Sequence, residues 1–143
     1  MIIYPAVIVH GMADAQAALA LGLPVTLLSA PAAAQFAGCL WWREVVAGAR
    51  LRHPDTAATD ILDCADASGV ALGALRCGVL RLVLWPAAPG WERVASIAET
   101  LGGFVLPRAP PALDLAKRNA PRALHGWLGG AGTPAGDNKP SPG

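Results

Sequence analysis

The residue types best suited to chemistry in this 143-residue chain stand just after short apolar runs. His10 follows Ala6-Val7-Ile8-Val9, Ser29 closes Val25-Thr26-Leu27-Leu28, Asp63, Cys64 and Asp66 follow Ile61-Leu62, and Arg108 lies just beyond Phe104-Val105-Leu106. An imidazole titrates near neutral pH and serves as a general base. A carboxylate ending an apolar run, as Asp63 does, must find a donor or stay near water, because unpaired burial is costly. A guanidinium such as that of Arg108 clamps carboxylates and phosphates in bidentate fashion. These groups make up the polar inventory of a site for a small polar or anionic ligand. An alternative is a thiol-dependent enzyme in which His10 activates Cys64. Both readings compete with plainer roles. Asp66 stands where an N-cap would accept the free amides of a helix, and a buried free cysteine often serves as a small apolar filler.

The elements that must position these residues announce themselves through a recurring junction. Ala18-Leu19-Ala20-Leu21-Gly22-Leu23-Pro24-Val25, Ala74-Leu75-Arg76-Cys77-Gly78-Val79-Leu80 and Thr100-Leu101-Gly102-Gly103-Phe104 each run from helix formers through glycine into an apolar strand. A helix commonly ends in a left-handed residue, where a Cβ is penalised and glycine is not. With the runs Ala6–His10 and Thr59–Cys64, the pattern predicts five strands. Helices are expected over Asp14–Leu21, Ala32–Arg52, Ser68–Cys77, Trp91–Leu101 and Ala112–Leu128, the last kinked or restarted at Pro121. Alternation of this kind demands parallel strands joined by right-handed crossovers. Strands apolar throughout, such as Leu82-Val83-Leu84, imply burial on both faces.

The expected fold is therefore α/β: an open five-stranded parallel sheet in three αβα layers, with the flavodoxin-like order 2-1-3-4-5. Ligands bind such sheets beyond the carboxyl ends of the strands where strand order reverses. In that order the crevice lies between strands 1 and 3, with His10 facing the Asp63–Asp66 loop. One domain is expected over residues 1–128, followed by a disordered Gly/Pro-rich tail over 129–143.

Composition narrows the function classes. Eleven Lys+Arg against ten Asp+Glu leave a net charge of +1, so a nucleic-acid partner, which needs a basic excess, is not expected. The uncharged stretch between Asp14 and Arg43 is long enough to raise a membrane span, but Gly22, Pro24 and Pro31 interrupt it and the expectation is a protein without a membrane partner. Cys39, Cys64 and Cys77 are odd in number and contain no C-x-x-C pair, which fits a reducing, cytoplasmic setting and argues against a metal site. Neither G-x-G-x-x-G nor a phosphate-binding P-loop is present, and no cofactor is expected.

In outline the pattern is similar to response-regulator receiver domains. It departs from them where His10-Gly11 replaces an acidic pair, Trp85 a hydroxyl residue and Arg108 a lysine. Small aldolase-type βα proteins resemble it at the αβ junctions but need a Schiff-base lysine, and Lys117 and Lys139 lie too near the carboxyl end of the chain. A second alternative is a non-enzymatic interaction module, with Trp41 in the second helix and the last helix forming a partner or homodimer surface, since exposed Trp is enriched at hot spots.

Overall fold

The structure, a computed structural model, describes residues 3–130. The chain runs β1 (Ala6–Val9), α1 (Met12–Ala20), β2 (Val25–Ser29), α2 (Ala33–Phe36), α3 (Cys39–Arg52), β3 (Ala58–Asp63), α4 (Ser68–Arg76), β4 (Arg81–Val83), α5 (Trp91–Thr100), β5 (Phe104–Leu106), β6 (Ala112–Asp114) and α6 (Ala120–Gly130). All strand pairs are parallel, in the order β5-β4-β3-β2-β1-β6. The parallel α/β class agrees with the sequence. The strand count and order do not: the described residues form six strands, and β2 lies between β1 and β3.

Gly22, Gly78 and Gly102, which end the three helix-to-strand junctions, have φ of +74°, +88° and +91°, the left-handed geometry that the sequence pattern requires. The long second helix is split at Gly38, whose φ of +89° breaks it into α2 and α3. The expected last helix is corrected more deeply, because Ala112–Asp114 is a strand on the free side of β1 and the helix begins only at Ala120. Pro121 then falls in the first turn, where its missing amide would have had no intrahelical partner. Residues 131–143, most of the expected disordered tail, lie outside the described residues, and Gly129 and Gly130 end α6.

The three-layer arrangement is also corrected. From β1 to β5 each crossover steps to the next strand on the same side, and repeated right-handed crossovers in one direction deliver every helix to the same face. One large cluster accordingly joins α1, α3, α4, α5 and α6, through Leu19, Trp42, Leu75, Val94 and Leu124, to Val7, Leu27, Leu62 and Leu82 of the sheet. Among the described residues, no helix packs on the other face. Its residues, Leu28, Ile61 and Val83 with Ile8, Phe104, Leu106 and Ala112, form a second cluster to which all six strands contribute.

A flat sheet cannot make that cluster or the β5–β6 connection. Five spacings of about 4.8 Å would put the edge strands about 24 Å apart. Leu106 pairs through Val83 to the level of Asp63, whereas Ala112 pairs with Ala6 at the level of Thr59, four residues lower. The connection must therefore descend about 13 Å, and its six residue steps reach at most about 21 Å. Only about 16 Å is left for lateral travel. The sheet must curl, bringing its edges toward one another and burying the helix-free face against itself.

At the amino-terminal side, Asp60 is buried and accepts from Arg81 Nη2 at 2.8 Å, with Arg50 Nη2 at 3.7 Å, which ties β3 to β4 and α3. Thr26 and Thr59 share a hydroxyl hydrogen bond of 3.0 Å between β2 and β3. Among the described residues no helix is long and apolar enough to cross a membrane.

Candidate functional site at the carboxyl end of the sheet

Side chains alternate along a strand, so residues two positions beyond Ile8, Ile61 and Ala112 return to the face those residues share. Those residues are His10, Asp63 and Asp114. The curl thus places an imidazole and two carboxylates at the carboxyl-end mouth of the helix-free face, with Ile8, Leu28, Ile61, Val83 and Leu106 beneath them. In parallel α/β proteins this end collects ligands because the βα loops converge there.

His10 and Asp114 meet directly, with Nε2 of the imidazole 2.7 Å from Oδ1 of the carboxylate. The pair joins residues 104 apart in sequence across β1 and β6, the place where strand order reverses. His10 is further anchored by its amide, which donates to Asp14 Oδ2 in the first turn of α1 at 2.9 Å. Asp114 Oδ1 also accepts from the amide of Ala116 at 2.9 Å. Partial burial raises the Asp114 carboxyl, but the His10 hydrogen bond, the Ala116 amide and the charges of His10 and Lys117 outweigh it and hold the group below its ordinary 3.8. An ionised carboxylate only accepts, so Nε2 carries the proton and a neutral ring presents its Nδ1 lone pair. Side-chain exposures of 37% for His10 and 25% for Asp114 leave both reachable from solvent.

Asp63 is a different device. Only 4% exposed, it accepts at Oδ1 from the amides of Ala65, at 2.9 Å, and Ala32, at 3.2 Å. Ala65 and Ala32, with φ of +52° and +61°, are the two non-glycine residues in left-handed geometry among the described residues. Such a conformation costs about 1–2 kcal/mol per residue, and one carboxylate oxygen holds both. Ser29 completes the staple: its Oγ accepts the Asp63 amide at 2.9 Å and donates to the carbonyl of Ala30 at 3.1 Å. Burial pushes the Asp63 carboxyl above its ordinary value, with the Ala65 and Ala32 amides pulling the other way.

The sequence-predicted set is therefore not assembled as a single crevice. β2 separates His10 from Asp63, so their strands stand two spacings apart, about 10 Å. Ser29 is buried and committed to the staple. Cys64 is fully buried on the helix-covered face, donates to the carbonyl of Leu62 and is pushed up to about 12 by burial, then by Asp63 and Cys39. It is not brought to His10. Asp66 is exposed and does not cap α4, whose N-cap is Ala67 with no side-chain hydrogen bond. Arg108 is exposed on the connection between β5 and β6, without an ion pair among the described residues. Trp41 is partly buried against the large cluster and tilts on Trp42, ring centroids 5.8 Å apart, and α6 is docked by Trp127 Nε1 on the carbonyl of Ala6 at 2.8 Å.

Asp114 is the site residue that sequence reasoning missed. Its signal was present: Ala112-Leu113-Asp114 repeats the apolar-leucine-aspartate ending of Ile61-Leu62-Asp63. No group of three or more potential metal ligands occurs among the described residues. Compared with known proteins, the chain matches no family model and no curated protein sequence.

Proposed function

We propose that the carboxyl-end mouth of the curled sheet binds a small polar or anionic ligand, with His10 as the principal contact and Asp114 as the group that orients it. The observation that carries this reading is the 2.7 Å His10–Asp114 pair at the strand-order reversal. A ring fixed through Nε2 offers a directed Nδ1: a lone pair when neutral, an N–H donor to an anion when protonated. Arg108, exposed beyond the end of β5, adds a second cation for an anionic ligand. In this reading Asp63 and Ser29 hold the rim in shape and do not touch the ligand. Three free thiols favour a reducing, cytoplasmic setting.

The interaction-module alternative draws less support, since Trp41 is partly packed away and α6 is committed to the sheet. The thiol-enzyme alternative draws less still, because Cys64 is buried away from the mouth.

Ligand-linked stabilisation tests the proposal, because a molecule that binds only the native state raises Tm whatever the chemistry. Inorganic phosphate and a panel of small mono- and dicarboxylates serve as probes. At least one should raise the Tm of the wild-type chain, and His10→Ala should abolish that rise while keeping a cooperative transition. Retention of the full rise in His10→Ala, or a wild-type chain indifferent to every probe, overturns the assignment.

A further inference from the structure

Cys39 is the first residue of α3 and Cys77 is the C-cap of α4. The two helices bring the sulfurs together, Cys77 Sγ donating to Cys39 Sγ at 2.6 Å. A disulfide needs an S–S separation of about 2.05 Å, so a shift of roughly 0.6 Å would join them. Both thiols are free and partly exposed, and Arg76, Gly78, Leu40 and Arg43 next to them are exposed, so a small reagent can reach the pair from solvent. Cys64 differs in exposure and in bonding: it is fully buried and its Sγ donates to the carbonyl of Leu62.

We infer that Cys39 and Cys77 form an oxidisable dithiol, a modification site that a hydroperoxide converts to an intramolecular disulfide. In the first step one thiolate attacks a peroxide oxygen, the O–O bond breaks, and a sulfenic acid forms as water leaves. The neighbouring sulfur then attacks the sulfenic sulfur; the S–S bond forms, the S–O bond breaks and a second water leaves. Two thiols and one hydrogen peroxide give one disulfide and two waters, the sulfur pair losing the two electrons that the peroxide gains. Arg43 stands where a cation favours the thiolate at Cys77, set against burial and the Cys39 contact, which raise that thiol above its ordinary value. In a reducing compartment such a bond is transient and reports the oxidant. It would clasp the start of α3 to the end of α4 and close a loop that contains β3.

Mild treatment of the native wild-type chain with hydrogen peroxide, then alkylation in denaturant and mass mapping, tests this. One of the three thiols should remain alkylatable, the chain mass should fall by two hydrogens, and a dithiothreitol-reversible peptide pair should carry Cys39 and Cys77. In Cys39→Ser and Cys77→Ser no such intramolecular bond should form. Without oxidant, native Cys39 and Cys77 should alkylate at least about tenfold faster than Cys64. Three alkylatable thiols after peroxide, disulfides between chains in place of the internal one, or sulfinic acid without cross-linking would each refute the inference.

Discussion

Asp63 and Asp114 end two strands of one sheet with the same local sequence, an apolar residue and a leucine followed by aspartate, and they do opposite work. Asp63 is enclosed and spends one oxygen on two backbone amides, so its carboxyl is raised by burial. Asp114 lies nearer solvent and is held low by an imidazole and an amide that offset its partial burial. The difference comes from their neighbours. β3 is interior to the sheet and its carboxyl end is covered by the loops after β2 and β3, whereas β6 is an edge strand beside β1, where the chain reverses its march across the sheet. One carboxylate holds backbone turns at the rim, and the other holds the His10 ring.

The largest expected effect is on the shape-keeping side. Asp63→Ala removes the acceptor for the amides of Ala32 and Ala65 and should cost about 2–4 kcal/mol in urea unfolding. Asp63→Asn keeps an acceptor oxygen at that place and should cost less than half as much. Equal losses in the two variants would mean that charge, not hydrogen-bond geometry, holds the turns.

Next come the alanines themselves. Ala32→Gly and Ala65→Gly each relieve a left-handed Cβ penalty, partly offset by the greater freedom of glycine in the unfolded chain, for a net gain of about 0.5–1 kcal/mol. A Tm that fails to rise in either variant would show that the turns are not strained.

The two carboxylates should also leave opposite marks on stability against pH. A group lowered in the folded state, as Asp114 is, contributes stability above its unfolded value near 3.8, lost as pH falls through the lower folded value. A group raised in the folded state, as Asp63 is, contributes stability below 3.8, lost as pH rises through the higher folded value. Relative to wild type, Asp114→Asn should therefore lose stability at neutral pH and converge with it in acid. Asp63→Asn should gain relative to wild type as pH climbs above 4. Parallel pH profiles for both variants would erase the distinction.

The smallest expected effect is the stability change on opening the exposed pair. His10→Ala should lower stability by less than about 1 kcal/mol, since a solvent-exposed pair of polar side chains contributes little. A larger loss would make His10 part of the scaffold and weaken the proposal that it contacts a ligand.

Much of the scaffold was legible because it is written in local chemistry. Gly22, Gly78 and Gly102 mark positions where the backbone must turn left-handed, and five of the six strands follow from them and from two short apolar runs. What was not legible is non-local. The run Leu82-Val83-Leu84 says that both faces of its strand are buried, and helices on both sides or a sheet curled on itself meet that demand equally well. β6 was hidden because three residues between Pro110-Pro111 and a basic segment carry no measurable period. Without that strand Asp114 has no place in the pattern, and β6, not β3, carries the partner of His10. The places of His10 just after β1 and Asp63 at the end of β3 were nevertheless legible, because they depend on local sequence and not on strand order.

The pairing of β1 with β6 has a consequence for synthesis. During synthesis β1 keeps one row of backbone donors and acceptors without its β6 partner until residues beyond Asp114 have emerged. Chains halted earlier would carry a raw apolar edge, a template for self-association, so the span from Ala112 through Trp127 serves as the clasp that retires that hazard.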